Sequence, residues 1–303
     1  MVTILALAAA VLYGSADFLG GASSRRARPV DVLVVTTAAG AAVVVASALV
    51  VSLTGLGSHG AASGAGAIGL IWGVAGGVAG VVGLLFFYLG FSVAPMGVVA
   101  PVSALASTLL PLGVAVAQGE RPGPLVVAGA LICLVAVVLV SLERRPDEAE
   151  GVRSLPYRLR GAGYGLVSGV MFGLFFVFFR NAGTSGVLWP VAVARTVGVV
   201  LACCIWLLAR RPGGLAALRP ARAAGGLRAV LPMALASGSG DAAANVCYVL
   251  ATRSGLFGIA VIITALYPGM TVLLARYVLG ERMRLIQRVG LLLAAVGVVL
   301  VTA

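Results

Sequence analysis

Four ionisable side chains lie inside long apolar stretches of the sequence: Asp17, Arg195, Asp241 and Arg276. Charge is costly inside a membrane and marks a functional candidate wherever it persists. Arg276 lies close to the end of its stretch, where its long side chain can reach the membrane surface, so we set it aside. The other three are candidates for a substrate or proton site.

Asp241 begins a polar stripe that continues with Asn245 and Tyr248 at i+4 and i+7, which is one face of a helix. At 1.5 Å per residue, Arg195 and Asp241 lie roughly 11 and 15 Å from the same side of the membrane, so they could pair between adjacent helices. Two interpretations remain open. Either the pair only neutralises itself and joins two helices, or it belongs to a binding site in a cavity.

Asp17 lies in the segment Tyr13-Gly14-Ser15-Ala16-Asp17-Phe18, close to the basic stretch 25–28. Its carboxylate either complements that basic stretch or serves the site, and we expect Tyr13 and Tyr248 near the site. A crowd of aromatic residues at 172–179 favours packing or lipid contact over substrate stacking.

These residues belong to a chain of 303 residues with 61% apolar and only 10% charged residues. A soluble domain averages about 45–50% apolar and about 25% charged residues, so we expect an all-α, polytopic membrane protein. A spanning helix needs roughly 20 apolar residues. Ten segments approach this length: 3–22, 31–53, 67–90, 95–118, 124–142, 161–181, 188–209, 229–251, 256–279 and 285–302.

The chain repeats itself about a polar linker. A shift of 161 residues places Gly119-Glu120-Arg121 on Gly280-Glu281-Arg282, and near the start of each half a shift of 159 places Tyr13-Gly14 on Phe172-Gly173. We therefore expect a first five-helix repeat at 1–142, a cytoplasmic linker at 143–160 and a second repeat at 161–303. An odd number of helices per repeat inverts the second repeat, which is the architecture of many secondary transporters.

Prolines interrupt corresponding segments of the two halves, with Pro101 and Pro111 in one and Pro268 in the other. An interior proline frees a backbone carbonyl and kinks or breaks a helix, so we predict hinges near the binding region. Glycines recur every four residues at 161, 165, 169 and 173. That spacing indicates close helix packing within a membrane.

These motifs resemble the EamA type of the drug/metabolite transporter superfamily. The likeness rests on the doubled Gly-Glu-Arg, on the aromatic-Gly start of each half, and on Arg195 in Ala192-Val193-Ala194-Arg195. At position 36, the counterpart of Arg195, the first half departs from the pattern with Thr. The resemblance implies a ten-helix transporter with a central cavity between its halves, and it names no substrate.

The net charge of +12 comes from 21 basic residues, all of them Arg, which cluster between the apolar stretches. That pattern indicates contact with anionic lipid and cytoplasm, and it excludes nucleic acid as a partner. Sixteen Arg fall on one side of the predicted helices and three on the other. By the positive-inside rule both termini lie outside. The Ala-, Gly-, Val- and Arg-rich composition is typical of a GC-rich bacterial genome, so we expect a bacterial plasma membrane.

The sequence therefore predicts a secondary transporter of a small metabolite or drug-like molecule, with Asp17 or Asp241 available for proton coupling. Without any Lys there is no Walker-type ATP site, and we expect no cofactor, no metal and no enzymatic activity. The alternatives are a lipid flippase or channel of the same fold, or an intramembrane enzyme. Substrate, direction of transport and oligomeric state stay open.

Overall fold

The computed structural model describes residues 1–54, 67–94, 96–119, 121, 123–141, 155–182, 188–211, 226–253, 257–279 and 285–302. These residues form helices and short turns, with no strand among them. The first half contains α1 (Val2–Arg26), α2 (Pro29–Thr54), α3 (Ala67–Val93), α4 (Met96–Ala117) and α5 (Pro124–Ser141). The second half contains α6 (Leu155–Asn181), α7 (Leu188–Arg210), α8 (Leu227–Arg253), α9 (Phe257–Thr264), α10 (Tyr267–Leu279) and α11 (Leu285–Thr302).

Six of the helices in the described residues are long and apolar enough to cross a membrane, and they belong to α1, α2, α3, α4, α6 and α7. Large apolar side chains such as Ile4, Ile68, Ile71, Leu125 and Leu131 are exposed along the outer surface. On a soluble protein so much apolar surface would drive aggregation, whereas a bilayer solvates it. The prediction of an all-helical membrane protein is confirmed.

The predicted helix at 256–279 is wrong as a single element, because α9 ends at Thr264 and α10 begins at Tyr267. Pro268 explains the break, since proline has no N–H with which to bond the carbonyl four residues back. Short-range bonds take over, from the Leu266 amide to the Ile263 carbonyl and from the Gly269 amide to the Leu266 carbonyl. Pro101 and Pro111, in contrast, lie inside the continuous α4.

Other helix ends also differ from the sequence prediction. α6 begins at Leu155, so the last residues of the predicted linker are helical, and α8 contains an interior proline, Pro232. α4 ends in a turn at Gly119, whose φ of +93° lies in the left-handed region that favours glycine. This turn accounts for the Gly of the first Gly-Glu-Arg. Glu120 and the second copy at 280–282 lie outside the described residues.

The helices of one half pack mainly on helices of the other. The most extensive contacts join α1 to α8, α3 to α6, α4 to α6 and α5 to α11, while α2 packs against both α7 and α8. Glycine makes these contacts close: Cβ atoms built at Gly77 and Gly169 would run into the carbonyl oxygens of Ala194 and Ser103. Such close backbone approach is how helices associate where the hydrophobic effect between them is absent.

Hydrogen bonds also cross between the halves. Ser237 on α8 donates to the carbonyl of Ala16 on α1 at 2.7 Å. Near the Arg-rich ends of α2 and α7, the Trp206 indole N–H donates to the Asp31 carboxylate at 2.8 Å. The Arg210 guanidinium lies 3.7 Å above the same indole ring. The Trp206–Asp31 hydrogen bond shows that α2 begins on the side where α7 ends.

Candidate functional site

A cavity of about 70 Å³ lies between the two halves of the chain. Eight helices contribute to its walls, four from each half, while α5 and α11 pack against each other away from it. Its lining residues are Tyr13, Asp17, Thr37, Gly76, Gly77, Gly80, Val81, Leu84, Ser107, Phe172, Phe175, Phe176, Ala194, Arg195, Gly198, Asp241, Asn245 and Tyr267.

The cavity lies midway along the helices that form it. Gly80 is the fourteenth of the 27 residues of α3, and Asp241 is the fifteenth of the 27 residues of α8. A helix of that length spans about 40 Å at 1.5 Å per residue, which exceeds the roughly 30 Å hydrocarbon core. We therefore expect the cavity to lie near the centre of the membrane.

Arg195 and Asp241 form a salt bridge in this cavity, with Nη1 of the guanidinium 2.5 Å from the carboxylate Oδ2. Nη2 of Arg195 also donates to the Asp241 backbone carbonyl at 3.5 Å, and the Asn245 side-chain amide donates to the same carbonyl at 2.7 Å. The two charged side chains are 12% and 26% exposed, so the pair borders the cavity without being sealed from it. The pairing expected from the sequence is present.

The packing of the two helices that carry this pair differs from the sequence prediction. We placed Arg195 and Asp241 on adjacent helices, but α7 and α8 make little direct contact and α2 packs against both. Gly40 of α2 makes the route possible, since a Cβ at this position would lie 3.3 Å from Nη1 of Arg195 and 3.0 Å from the Gly238 carbonyl. The guanidinium therefore passes over a glycine of the first half.

Asp17 of α1 also borders the cavity, where its side chain is partly exposed. Its carboxylate has no hydrogen bond or salt bridge to any of the residues that the structure describes. Its counterpart in the second half is Phe176, at the shift of 159 residues, which lines the same cavity. The structure thus directs this carboxylate to the cavity.

Aromatic rings form much of the remaining wall. Phe172, Phe175 and Phe176 line the cavity, although the sequence favoured packing or lipid contact for this cluster. The Tyr13 ring lies edge-on to Phe176 and to Tyr267, with centroids 6.3 Å apart in each case. The repeat itself carried the signal for the phenylalanines, since Phe172 is the counterpart of Tyr13.

Tyr248 does not line the cavity. It is 1% exposed and stacks behind Phe176 with ring centroids 4.5 Å apart, so it supports the wall from outside. Tyr267, which sequence reasoning missed, enters the wall because it begins α10 at the helix break. Its position directly before Pro268 is the signal that could have identified it. Ser107 and Thr37 were also missed.

The described residues contain no group of three His, Cys, Asp or Glu side chains placed to hold a metal ion. Of the predicted hinge positions, Pro101 and Pro111 lie in α4 outside the cavity wall, and Pro268 follows the wall residue Tyr267. The described cysteines, 133, 203, 204 and 247, are all free.

Comparison with known proteins relates the second half of the chain to a family of transporters. Residues 159–303 match the model of the EamA-like transporter family, which confirms the resemblance found in the sequence. No curated protein matches the chain. A solved structure titled "Crystal structure of protein" superposes with a TM-score of 0.67 and 22% identity, and the alignment covers 99% of this chain and 96% of that one. This likeness shows the shared fold alone.

Proposed function

We propose that this multi-pass membrane protein, whose second half is EamA-like, is a secondary transporter that moves a small molecule by alternating access. The observation that carries the proposal is the mid-membrane cavity, which is lined by charged and aromatic side chains from both halves of the chain. In this proposal, residues 1–142 and 161–303 are inverted five-helix repeats joined by the cytoplasmic linker 143–160, and α9 with α10 counts as one broken span.

Packing between the halves supports the inverted repeat. Gly14 of α1 lies against Thr271 of α10, where an added Cβ would come within 3.0 Å of the Thr271 amide nitrogen. Gly173 of α6 lies against Leu110 of α4, where an added Cβ would come within 3.1 Å of the Leu110 Cβ. The shifts of 159 and 161 residues convert the first contact into the second. A two-fold axis between the halves accounts for this exchange.

The cavity wall follows the same exchange. Asp241 and Asn245 of α8 correspond to Gly80 and Leu84 of α3, and all four line the cavity. A site on the axis between two repeats is where rocking of one half against the other can expose a ligand to each side in turn. The polar residues of the wall are unequal in the two halves, so the bound ligand need not be symmetric.

The break between α9 and α10 gives this motion a place to bend. It lies beside the cavity, because Tyr267 at the start of α10 is a wall residue and packs edge-on to Tyr13 of the other half. A few residues at the end of an element commonly absorb the backbone change of a hinge. Bending here would carry Tyr267 out of the wall and open the cavity.

Asp17 is the carboxylate best placed for proton coupling. Asp241 is engaged with Arg195, whereas Asp17 borders the cavity without a recorded ion pair among the described residues. Exchange of a proton at an intramembrane carboxylate is a common way to drive transport.

Counterflow in proteoliposomes tests this function. A thermal-unfolding screen of small solutes on the purified protein first identifies ligands, because a ligand that binds the folded state raises the unfolding temperature. Vesicles loaded with unlabelled ligand should then accumulate the labelled compound transiently, while protein-free vesicles should not. Movement of fluorescent lipid without ligand exchange would instead support a lipid flippase and contradict the proposal.

A further inference from the structure

We infer that the cavity binds a small organic cation, with its charge at Asp17 and its apolar body among the aromatic rings. The inference specifies the ligand of the proposed transporter. It rests on the proposed function only for the movement of the cation across the membrane. Binding of the cation in the cavity can be tested separately from transport.

The charged side chains of the cavity wall indicate the sign of the charge that a ligand should carry. Among the residues that the structure describes, the wall contains three acidic or basic side chains, namely Asp17, Arg195 and Asp241. Asp241 neutralises Arg195 through the salt bridge, so the charge of Asp17 is left over. When the Asp17 carboxylate is ionised, the described wall carries one net negative charge, which a bound cation neutralises where little water is present to screen it.

Among the described residues, the wall offers an anion no unpaired basic side chain. The guanidinium of Arg195 is committed to the carboxylate and the backbone carbonyl of Asp241. The N-terminus of a helix attracts anions through its free backbone N–H groups. At the N-terminus of α10, Pro268 has no N–H, and the Gly269 amide donates to the Leu266 carbonyl. An anionic ligand would therefore have to break the Arg195–Asp241 pair.

The rings suit an organic cation better than an inorganic one. Tyr13, Phe172, Phe175, Phe176 and Tyr267 surround the space beside Asp17, and aromatic faces attract ammonium groups. The hydroxyl of Tyr13 is buried and lacks a hydrogen-bond partner among the described residues, on a side chain only 8% exposed. The lone pairs of its oxygen are available to a cation.

Size restricts the ligand further. The volume of about 70 Å³ is well below the range of about 300–1,000 Å³ typical of pockets for drug-sized ligands. In this conformation the cavity suits a compact ammonium ion.

Four compounds of similar shape and different charge test the inference on the purified full chain. They are tetramethylammonium, neutral tert-butanol, anionic pivalate and zwitterionic glycine betaine. We expect tetramethylammonium alone to raise the unfolding temperature in a saturable way. Stronger protection by pivalate or glycine betaine, or no protection by any of the four, would overturn the inference.

Two matched variants locate the site. Asp17→Asn should weaken the affinity for tetramethylammonium at least about tenfold, because the carboxylate that balances its charge is gone. Asp31→Asn makes the same change on α2 at the Trp206 contact, away from the cavity, and should leave the affinity unchanged. Equal affinity of Asp17→Asn and the unmodified protein would contradict the assignment. If Asp17→Asn fails to fold, Phe176→Leu decides, with an expected loss of about threefold or more for the cation.

Counterflow of labelled tetramethylammonium separates the two proposals. If the ion protects the protein but does not exchange across proteoliposomes, the cation site stands and the transport function fails. If pivalate or glycine betaine exchanges and tetramethylammonium does not, transport stands and the inferred ligand class is wrong.

Discussion

Arg195 and Asp241 form a salt bridge although their helices, α7 and α8, make little direct contact. The guanidinium crosses α2 at Gly40, which belongs to the other half of the chain. The pair therefore joins α7 and α8 of the second half across α2 of the first half, beside the cavity. Any movement of α2 relative to α7 and α8 changes the space through which the pair passes.

The pair yields the first prediction. Asp241→Asn alone leaves the Arg195 charge without its partner, and we expect a loss of about 1–3 kcal/mol in stability, discounted because the pair is partly exposed. The double variant Asp241→Asn with Arg195→Gln removes both charges at similar volume and should recover the stability. Thermal unfolding of the purified variants measures both effects.

Transport by the double variant distinguishes structure from function. If the pair belongs to the binding site, the double variant should express well and fail to exchange ligand in proteoliposomes. Normal exchange by the well-folded double variant would show that the pair serves only to hold α7 and α8 together.

Packing at the α2–α8 contact gives the second prediction. A Cβ added at Gly238 would overlap the carbonyl oxygen of Thr36, which is backbone and has no flexible end to move aside. We expect Gly238→Ala to lower stability by about 1–3 kcal/mol, as overpacking does elsewhere. Thermal unfolding in detergent measures it.

Gly240→Ala is the matched control for this change. It lies two residues further along α8, where an added Cβ meets its nearest neighbour at 3.7 Å, an ordinary contact. Removing a glycine from a helix interior should leave stability unchanged or raise it by up to about 1 kcal/mol. Equal destabilisation by both substitutions would mean that the close α2–α8 contact is not the cause.

The depth of a residue along its helix could be predicted from the sequence, whereas the helices that pack around it could not. Counting residues brought Arg195 and Asp241 to similar depth, and their pairing is confirmed. The count holds because every helix residue rises by the same amount. The intervening α2 was missed because the lipid-facing side and the helix-facing side of a membrane helix are equally apolar. The hydrophobic periodicity of the sequence therefore does not indicate which helices are in contact.

The aromatic wall and the helix break show the same limit. Phe172 and Phe176 looked like packing residues because phenylalanine carries no polarity that distinguishes a cavity from lipid. All three prolines were equal candidates for a hinge, yet only Pro268 accompanies a break and α4 is continuous. Whether a proline breaks a helix depends on the neighbouring groups that satisfy the freed carbonyl, and these are tertiary contacts.

The third prediction concerns the break at Pro268. Pro268→Ala restores an N–H that can bond the Thr264 carbonyl, so we expect α9 and α10 to join into one helix. Joining them should raise or preserve the unfolding temperature while slowing ligand exchange, because the bend beside Tyr267 becomes stiffer. Pro101→Ala in the continuous α4 is the control and should leave exchange unchanged. Normal exchange by Pro268→Ala would remove the hinge from the mechanism.

The last prediction is the orientation of the chain in the membrane. The Asp31–Trp206 hydrogen bond joins the ends of α2 and α7 that adjoin the Arg clusters 25–28 and 210–211, so these clusters share one side. Sixteen Arg on that side against three on the other place it in the cytoplasm by the positive-inside rule, with both termini outside. In a variant without the native cysteines, Ser58→Cys between α2 and α3 should react with a membrane-impermeant maleimide added to intact cells. Arg28→Cys, at an exposed position in the connection from α1 to α2, should react only after the membrane is opened, and the reverse pattern would invert the orientation.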